Sequence, residues 1–215
     1  NYTLLLNTEG KEVIMDGGKA VGIKAYSHET GKEITINANK GLVLATGGFA
    51  GNVDLRVEYC EGEKWPDLGK EVKTTNMSGV TGDGIFMAEE AGAELIDMEQ
   101  IQLLPYCNPL TGHVNDTLGG GNGSTIFINK EGRRFVREDG RRDDMSKAIL
   151  AQTDGLTYLF ANADTFNVDD LRDIKTLGGQ PVSYFLDNNL NGIVIGDTLE
   201  EIAEQIGFPV ENLEE

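Results

Sequence analysis

The sequence predicts an α/β domain followed by an α+β domain, on two observations. Short strand patterns fill the first part of the chain and lead into Gly41–Thr46, whose continuous apolar run is typical of a strand buried on both faces of a parallel sheet. Beyond residue 80, helix patterns and short strands alternate between polar turns. We therefore expect residues 1–80 to form a first, partial domain and residues 81–215 a second one.

The first part of the chain is predicted to be a small antiparallel meander. Asp16-Gly17-Gly18 is a tight-turn signal between two strand patterns. Residues 50–80, with several glycines, are predicted to form an irregular connection. The predicted strands of the meander are Tyr2–Leu6, Val13–Met15, Ala20–Tyr26 and Ile34–Ala38.

In the second part, two helices carry clear terminal signals. The pattern predicts a helix over Asp83–Ala93, with Thr81 or Asp83 as its cap. Thr198-Leu-Glu-Glu201 is a capping box and opens a second helix, which Gly207 ends. The other predicted elements are a helix over Asp143–Gln152 and strands over Ser124–Asn129, Arg134–Arg137 and Tyr158–Ala161.

The composition excludes several classes of protein. The formal net charge of -18 argues against nucleic acid and anionic membranes as partners, because both attract a surplus of Lys and Arg. No apolar run is long enough to span a bilayer. Cys60 and Cys107 make no disulfide framework, and His28 and His113 lack the spacing of metal ligands, so no metal site is predicted.

Two glycine motifs are candidate ligand contacts. Ala45-Thr46-Gly47-Gly48 follows the predicted buried strand, where glycines let the backbone approach a ligand closely. Asp83 lies between two glycines at a helix start, which offers N–H groups to an anion and a carboxylate to a hydroxyl. Each motif has a purely structural alternative, namely a glycine turn after a core strand and a helix cap.

A third motif is a basic stretch in an otherwise acidic chain. Lys130–Lys147 has seven basic and five acidic residues, hence a net charge of +2. Such a stretch favours an anionic ligand. The alternative is that its arginines are solvated and pair with the neighbouring carboxylates.

In this order, the three motifs resemble the fumarate reductase/succinate dehydrogenase flavoprotein family. The similarity covers about residues 11–152 and includes Ala45–Phe49, Gly82–Gln102, Asn129–Phe135 and the Arg142-Asp143 pair. It implies the latter part of a Rossmann-like FAD-binding domain, followed by a fumarate reductase-type capping domain.

The resemblance also implies FAD as the cofactor. Ala45, Thr46, Gly47 and Gly48 match the stretch that lies along FAD, and Asp83 matches an aspartate that contacts it. The family's Gly-x-Gly-x-x-Gly loop is expected before the first residue and a further FAD segment after the last. We therefore expect this chain to be an internal fragment that holds no FAD firmly by itself.

Arg142 matches the arginine that exchanges a proton with the substrate carbon in this family. The implied reaction passes a hydride from the flavin to one alkene carbon, and Arg142 protonates the neighbouring carbon. Since an arginine is a poor acid in water, the reaction requires a dry site and a relay that replaces the proton. Glu138 and Asp143 are the candidate relay residues.

Two departures from the family pattern concern the substrate. The family's His-Pro-Thr is Leu104-Pro105-Tyr106 here, so an apolar side chain replaces a carboxylate-binding histidine. Thr117 is retained as a candidate substrate-binding residue, but the Glu and Arg that follow it in the family are replaced by a Leu-Gly-Gly-Gly run. A larger or less charged alkene or enoate than fumarate is therefore expected.

The sequence thus predicts an FAD-dependent oxidoreductase that reduces, or forms, an activated C=C bond in a small molecule. An electron-donor domain or protein is a possible partner, and both a cytoplasmic and an exported location stay open. The alternative is a non-catalytic relative, or an isolated domain that binds no FAD.

Overall fold

The computed structural model describes residues 2–60, 62, 64–66, 68–119, 125–190 and 192–214. Its contacts divide the chain into two compact units, each described by itself below. Unit 1 comprises residues 1–59 and 76–99, and unit 2 comprises residues 60–75 and 100–215. Both are mixed α/β structures, as the sequence predicts in outline.

Unit 1 is built on the predicted antiparallel meander. Strands β1 (Thr8–Asp16), β2 (Lys19–Ser27) and β3 (Lys32–Asn37) pair in chain order. Gly17 and Gly18 join the first two strands, with φ values of 54° and 78°. Positive φ at both central residues is what a tight hairpin turn requires, and glycine adopts it without steric cost, so the turn signal is confirmed.

Two predicted strands of unit 1 are wrong in this structure. Neither Tyr2–Leu6 nor Gly41–Thr46 belongs to a strand, and Val43 is 86% exposed. A parallel-sheet strand is stable only with hydrogen-bonded neighbours and with cover on both faces. The two sheets of the described residues supply neither to these segments.

Two helices complete unit 1. Helix α1 (Val53–Cys60) lies within the stretch predicted to be irregular, and Asn52 caps it by accepting the Leu55 N–H at 3.2 Å. Helix α2 (Asp83–Glu90) starts where predicted and ends three residues earlier. The buried Met87 of α2 lies against Gly10 of β1.

Unit 2 carries its core around a short two-stranded sheet. Strands β4 (Ile126–Ile128) and β5 (Tyr158–Phe160) pair antiparallel, and helix α3 (Arg142–Leu150) packs Met145 and Ile149 against the fully buried Phe127. The predicted strand over Arg134–Arg137 is reduced to a single bridge between Ile128 and Arg134. The remaining helices are α4 (Val182–Asp187), α5 (Leu199–Ile206) and α6 (Glu211–Glu214).

The predicted capping box at α5 is confirmed. The hydroxyl of Thr198 accepts the Glu201 N–H at 3.3 Å, and the Glu201 carboxylate accepts the Asp197 N–H at 2.8 Å. Gly207 ends the helix with φ of 96°. The apolar side of α5 packs in unit 2, where Ala203 and Ile128 share a buried cluster with Phe208.

The contacts divide the chain at other positions than the predicted 1–80 and 81–215. Helix α2 packs on β1 and therefore belongs to unit 1, whereas residues 60–75 belong to unit 2. The assignment of the two units to an FAD-binding and a capping domain stays a prediction. Among the described residues, no helix is long and apolar enough to cross a membrane.

Replacing Thr198 with Ala removes a hydrogen-bond acceptor from the first turn of α5. Loss of such a cap costs about 1 kcal/mol, so we expect amides of Leu199–Ile206 to exchange about fivefold faster. Hydrogen exchange followed by mass spectrometry measures this. Thr75→Ala is the control, because Thr75 is exposed and no hydrogen bond of its side chain occurs among the described residues. Equal exchange in the two variants would contradict the capping role.

Candidate functional site

The two glycine motifs meet in unit 1. The side chain of Thr46 lies directly on the Cα of Gly84: a Cβ added at residue 84 would overlap the Thr46 hydroxyl and lie 3.0 Å from its Cβ. Rotation of the threonine can move its hydroxyl, but its Cβ keeps its place in every rotamer, so a tight 3.0 Å contact remains. Glycine at residue 84 therefore allows the close contact between Ala45–Gly48 and α2.

A second set of contacts fixes the same arrangement. Asn52 donates from Nδ2 to the carbonyl oxygen of Thr81 at 3.4 Å while its Oδ1 caps α1. Gly82 precedes α2 in a left-handed conformation, with φ of 95°, and packs against Phe49 and Leu55. The role of Asn52 is not predicted from the sequence, although an Asn before a helix is a recognised capping signal.

Asp83 is not the cap of its helix. The N-terminal position is occupied by Gly82, and no side chain caps α2. The Asp83 side chain is exposed, and it makes no hydrogen bond or ion pair within the described part of the chain. The capping alternative is therefore wrong, and the carboxylate stands at a helix start where N–H groups lack acceptors within the helix.

The face of Gly48 is open. A Cβ added there meets nothing within 4 Å, and residues 45–48 are all exposed. An exposed glycine backbone next to the start of α2, with Gly47 in a left-handed conformation at φ of 81°, leaves room for a ligand at Gly48. The structure therefore brings Thr46, within Ala45–Gly48, next to Gly84, which adjoins Asp83. That Ala45, Thr46, Gly47, Gly48 and Asp83 form one FAD site stays a prediction.

Arg142 lies in unit 2, as the first residue of α3. Its Nη1 donates to Oε1 of Gln102 at 3.2 Å, and its side chain is exposed. The dry surroundings that a proton-transferring arginine requires are thus not supplied by unit 2 itself.

Most other cations of the stretch Lys130–Lys147 have acidic or aromatic neighbours, which supports the structural alternative for them. Arg137 pairs with Asp139. This pairing raises the pKa of the Arg137 guanidinium and lowers the pKa of the Asp139 carboxyl, so both charged forms are favoured. Lys147 lies 5.4 Å from the ring centroid of the buried Trp65. Arg141 and Arg142 have no carboxylate partner within the described ranges.

Glu138 accepts its hydrogen bonds from Arg134 and Phe127. Burial opposes its ionisation, but the guanidinium of Arg134 and the N–H of Phe127 overcome this and hold the pKa of the carboxyl below its usual range. Its pairing therefore stabilises the fold at neutral pH and is lost as pH falls through that lowered pKa. A proton relay through Glu138 is not supported, because its oxygens are occupied by other donors.

Thr117 belongs to a turn of unit 2. Its hydroxyl donates to the carbonyl oxygen of Val114 at 2.8 Å and accepts the Gly119 N–H at 3.3 Å. Its backbone carbonyl accepts from Leu177 at 2.9 Å. Residues 120 and 121 of the same run lie outside the described residues. Substrate binding by Thr117 stays a prediction.

The two cysteines and the potential metal ligands are the remaining reactive side chains of the described residues. Within the described ranges, no three His, Cys, Asp or Glu side chains are grouped so that they could hold a metal ion. Cys60 and Cys107 form no disulfide, and burial raises the pKa of the Cys107 thiol. A thiol with a raised pKa is a poor nucleophile at neutral pH.

The chain is similar to known flavoproteins along nearly its whole length. The model of the FAD binding domain family matches residues 1–212. NADH:acrylate oxidoreductase of Vibrio harveyi is 35% identical over 99% of this chain, and urocanate reductase of Eggerthella lenta is 36% identical over all of it. The chain spans about a fifth of the first relative (20%) and about a third of the second (34%).

A solved structure shows the same similarity. The open conformation of a flavocytochrome c3 fumarate reductase matches 96% of this chain and 33% of its own, with a TM-score of 0.65 and 25% identity. The resemblance indicated by the motifs is confirmed, and FAD is the cofactor of the family. This chain therefore belongs to the FAD binding domain family of flavoproteins, together with fumarate reductase.

Proposed function

We propose that this chain is part of an FAD-dependent oxidoreductase that reduces, or forms, an activated C=C bond. The observation that carries the proposal is the contact of Thr46 with Gly84, which joins both glycine motifs beside the exposed Asp83. The relatives named above are reductases of acrylate, urocanate and fumarate, which share a C=C bond next to an electron-withdrawing group.

Residues of unit 1 fit one edge of FAD. The open face of Gly48 admits the backbone-to-ligand approach, and the exposed Asp83 carboxylate is the proposed acceptor for a ribose or ribityl hydroxyl. When bound, FAD supplies the two-electron redox chemistry. Unit 1 is accordingly assigned to the latter part of a Rossmann-like FAD-binding domain, and unit 2 to the capping domain.

Arg142 is the proposed proton donor to the alkene carbon. Its guanidinium donates to Oε1 of Gln102 at 3.2 Å at the start of α3. Because Arg142 is exposed in unit 2, exclusion of water depends on the bound substrate and on the rest of the protein. Because Glu138 is not supported as a relay, another group has to return the proton to Arg142. The adjacent Asp143, which is half-buried, is the proposed relay.

The proposed substrate is larger or less charged than fumarate. Leu104 is half-buried at the position of the family's carboxylate-binding histidine, and the ring of Tyr106 meets Phe127 edge-on at 6.5 Å. These side chains favour an apolar or aromatic group over a second carboxylate. Electrons come from a donor domain or protein.

The full-length protein is expected to bind FAD and to oxidise reduced viologen when an alkene is added. A panel of acrylate, urocanate, fumarate and larger aromatic enoates measures the specificity, with the saturated analogues as controls. Bound FAD without turnover of any alkene would favour the non-catalytic alternative. A protein that binds no FAD would contradict the proposed cofactor site.

Arg142→Ala is expected to lower kcat of the full-length enzyme by at least about 100-fold while bound FAD is unchanged. The reason is that a positioned general acid contributes about two to four orders of magnitude. Arg141→Ala is the matched control, since Arg141 is the adjacent exposed arginine. Equal turnover in the two variants would exclude Arg142 as the proton donor.

Gly84→Ala is expected to weaken FAD binding, because the added methyl group pushes Thr46 away from α2. Overpacking of this kind costs about 1–3 kcal/mol, which corresponds to about a 5- to 150-fold rise in Kd. Gly79→Ala is the control, because a Cβ there meets nothing within 4 Å. Flavin fluorescence titration compares the two, and an unchanged Kd for Gly84→Ala would show that the contact is not needed.

A further inference from the structure

Glu138 has the hydrogen bonds of a residue that holds other groups in place. It is only 8% exposed. Its Oε1 accepts the Phe127 N–H at 3.0 Å and the Arg134 Nε–H at 3.0 Å, and its Oε2 accepts from Arg134 Nη2 at 2.6 Å. A buried carboxylate with bidentate guanidinium and backbone donors has a well-defined position.

The Glu138 carboxylate provides the hydrogen-bond acceptor that a neighbouring strand would otherwise supply to β4. Arg134 pairs with Ile128 of β4 in a single antiparallel bridge, and the residues after Arg134 do not continue this pairing. The next donor of β4, the N–H of Phe127, is therefore satisfied by the Glu138 side chain instead of a backbone carbonyl. Without Glu138 this buried N–H would lack its acceptor.

The segment Glu138–Met145, which contains Arg142, contacts Phe127 at both of its ends. At one end Glu138 binds the backbone of Phe127, and at the other end Met145 packs on its side chain, which is fully buried. Between them, a turn from Arg137 to Gly140, with a 3.2 Å hydrogen bond, leads directly into α3. Arg142 lies within this closed segment.

We propose that Glu138 is a positioning residue for Arg142, which sets the direction in which the guanidinium leaves α3. This inference rests on the proposed role of Arg142 as proton donor. Glu138 acts through the backbone of residues 139–141 and touches neither substrate nor cofactor. Because a displacement of about 1 Å can cost about 100-fold in rate, loosening this segment lowers kcat more than it changes KM.

The test is Glu138→Gln in the full-length enzyme. Glutamine keeps an acceptor for the Phe127 N–H but turns its NH2 group toward Arg134, so the bidentate pair is lost. Asp139→Asn is the matched control: the adjacent carboxylate makes the same kind of bidentate pair with Arg137, but it is exposed. Both substitutions remove one charge and keep the side-chain shape.

We expect Glu138→Gln to lower kcat per bound FAD about 10- to 100-fold, with KM within about twofold, while Asp139→Asn stays within about twofold on both. The solvent isotope effect on kcat should rise, and amide exchange of Phe127 and of the first turn of α3 should become faster. In an Arg142→Ala background, Glu138→Gln should cause no further loss, since it acts through Arg142.

The outcomes separate this inference from the proposed function. If Arg142→Ala retains full turnover, the proton-donor assignment fails. If Arg142→Ala is inactive but Glu138→Gln matches Asp139→Asn, only the positioning role is overturned. Should Glu138→Gln fail to fold, Arg134→Lys, which keeps the charge without the planar fork, is expected to show a smaller loss of kcat, and unchanged kcat there overturns the inference.

Discussion

The close packing of Thr46 on the Cα of Gly84 is the constraint on which the candidate cofactor site depends. It allows α2 to lie close to residues 45–48. Asn52, which caps α1, and Gly82 stabilise the same arrangement through their contacts with Thr81, Phe49 and Leu55. A single missing Cβ thus brings a glycine-rich segment and an exposed carboxylate to one surface. The surface is open at Gly48, which allows a ligand to approach the backbone closely there.

Electrostatics separate the basic stretch into two groups. Arg134 and Arg137 serve the local fold through their carboxylates, whereas Arg142 is held by a neutral amide. A neutral partner leaves the charge of Arg142 available to an anionic or polarised substrate, while a carboxylate partner would compete for it. The pair of Arg134 with the buried Glu138 therefore supports the local fold, and the exposed Arg142 stays the proposed functional residue of the stretch.

Local signals in the sequence predicted much of the fold. The turn at Gly17 and Gly18, the capping box at Thr198 and the start of α2 depend only on neighbouring residues, and the structure has all three. The strand at Gly41–Thr46 failed because its stability depends on neighbouring strands, which the sequence of the segment itself does not specify. The helix α1 was missed because its Asn52 cap stands within a glycine-rich stretch.

By itself, the sequence determined the family, the order of the motifs and the identity of the candidate site residues, because these are carried by residue types at fixed spacings. Only the tertiary structure decided that Asp83 does not cap its helix, that Thr46 lies on Gly84 and that Glu138 binds Phe127. The contacts of Thr46 with Gly84 and of Glu138 with Phe127 join residues that are not neighbours in the chain. One contact depends on how closely two backbone segments approach, and the other on which buried N–H lacks a backbone acceptor. A local sequence pattern encodes neither of these.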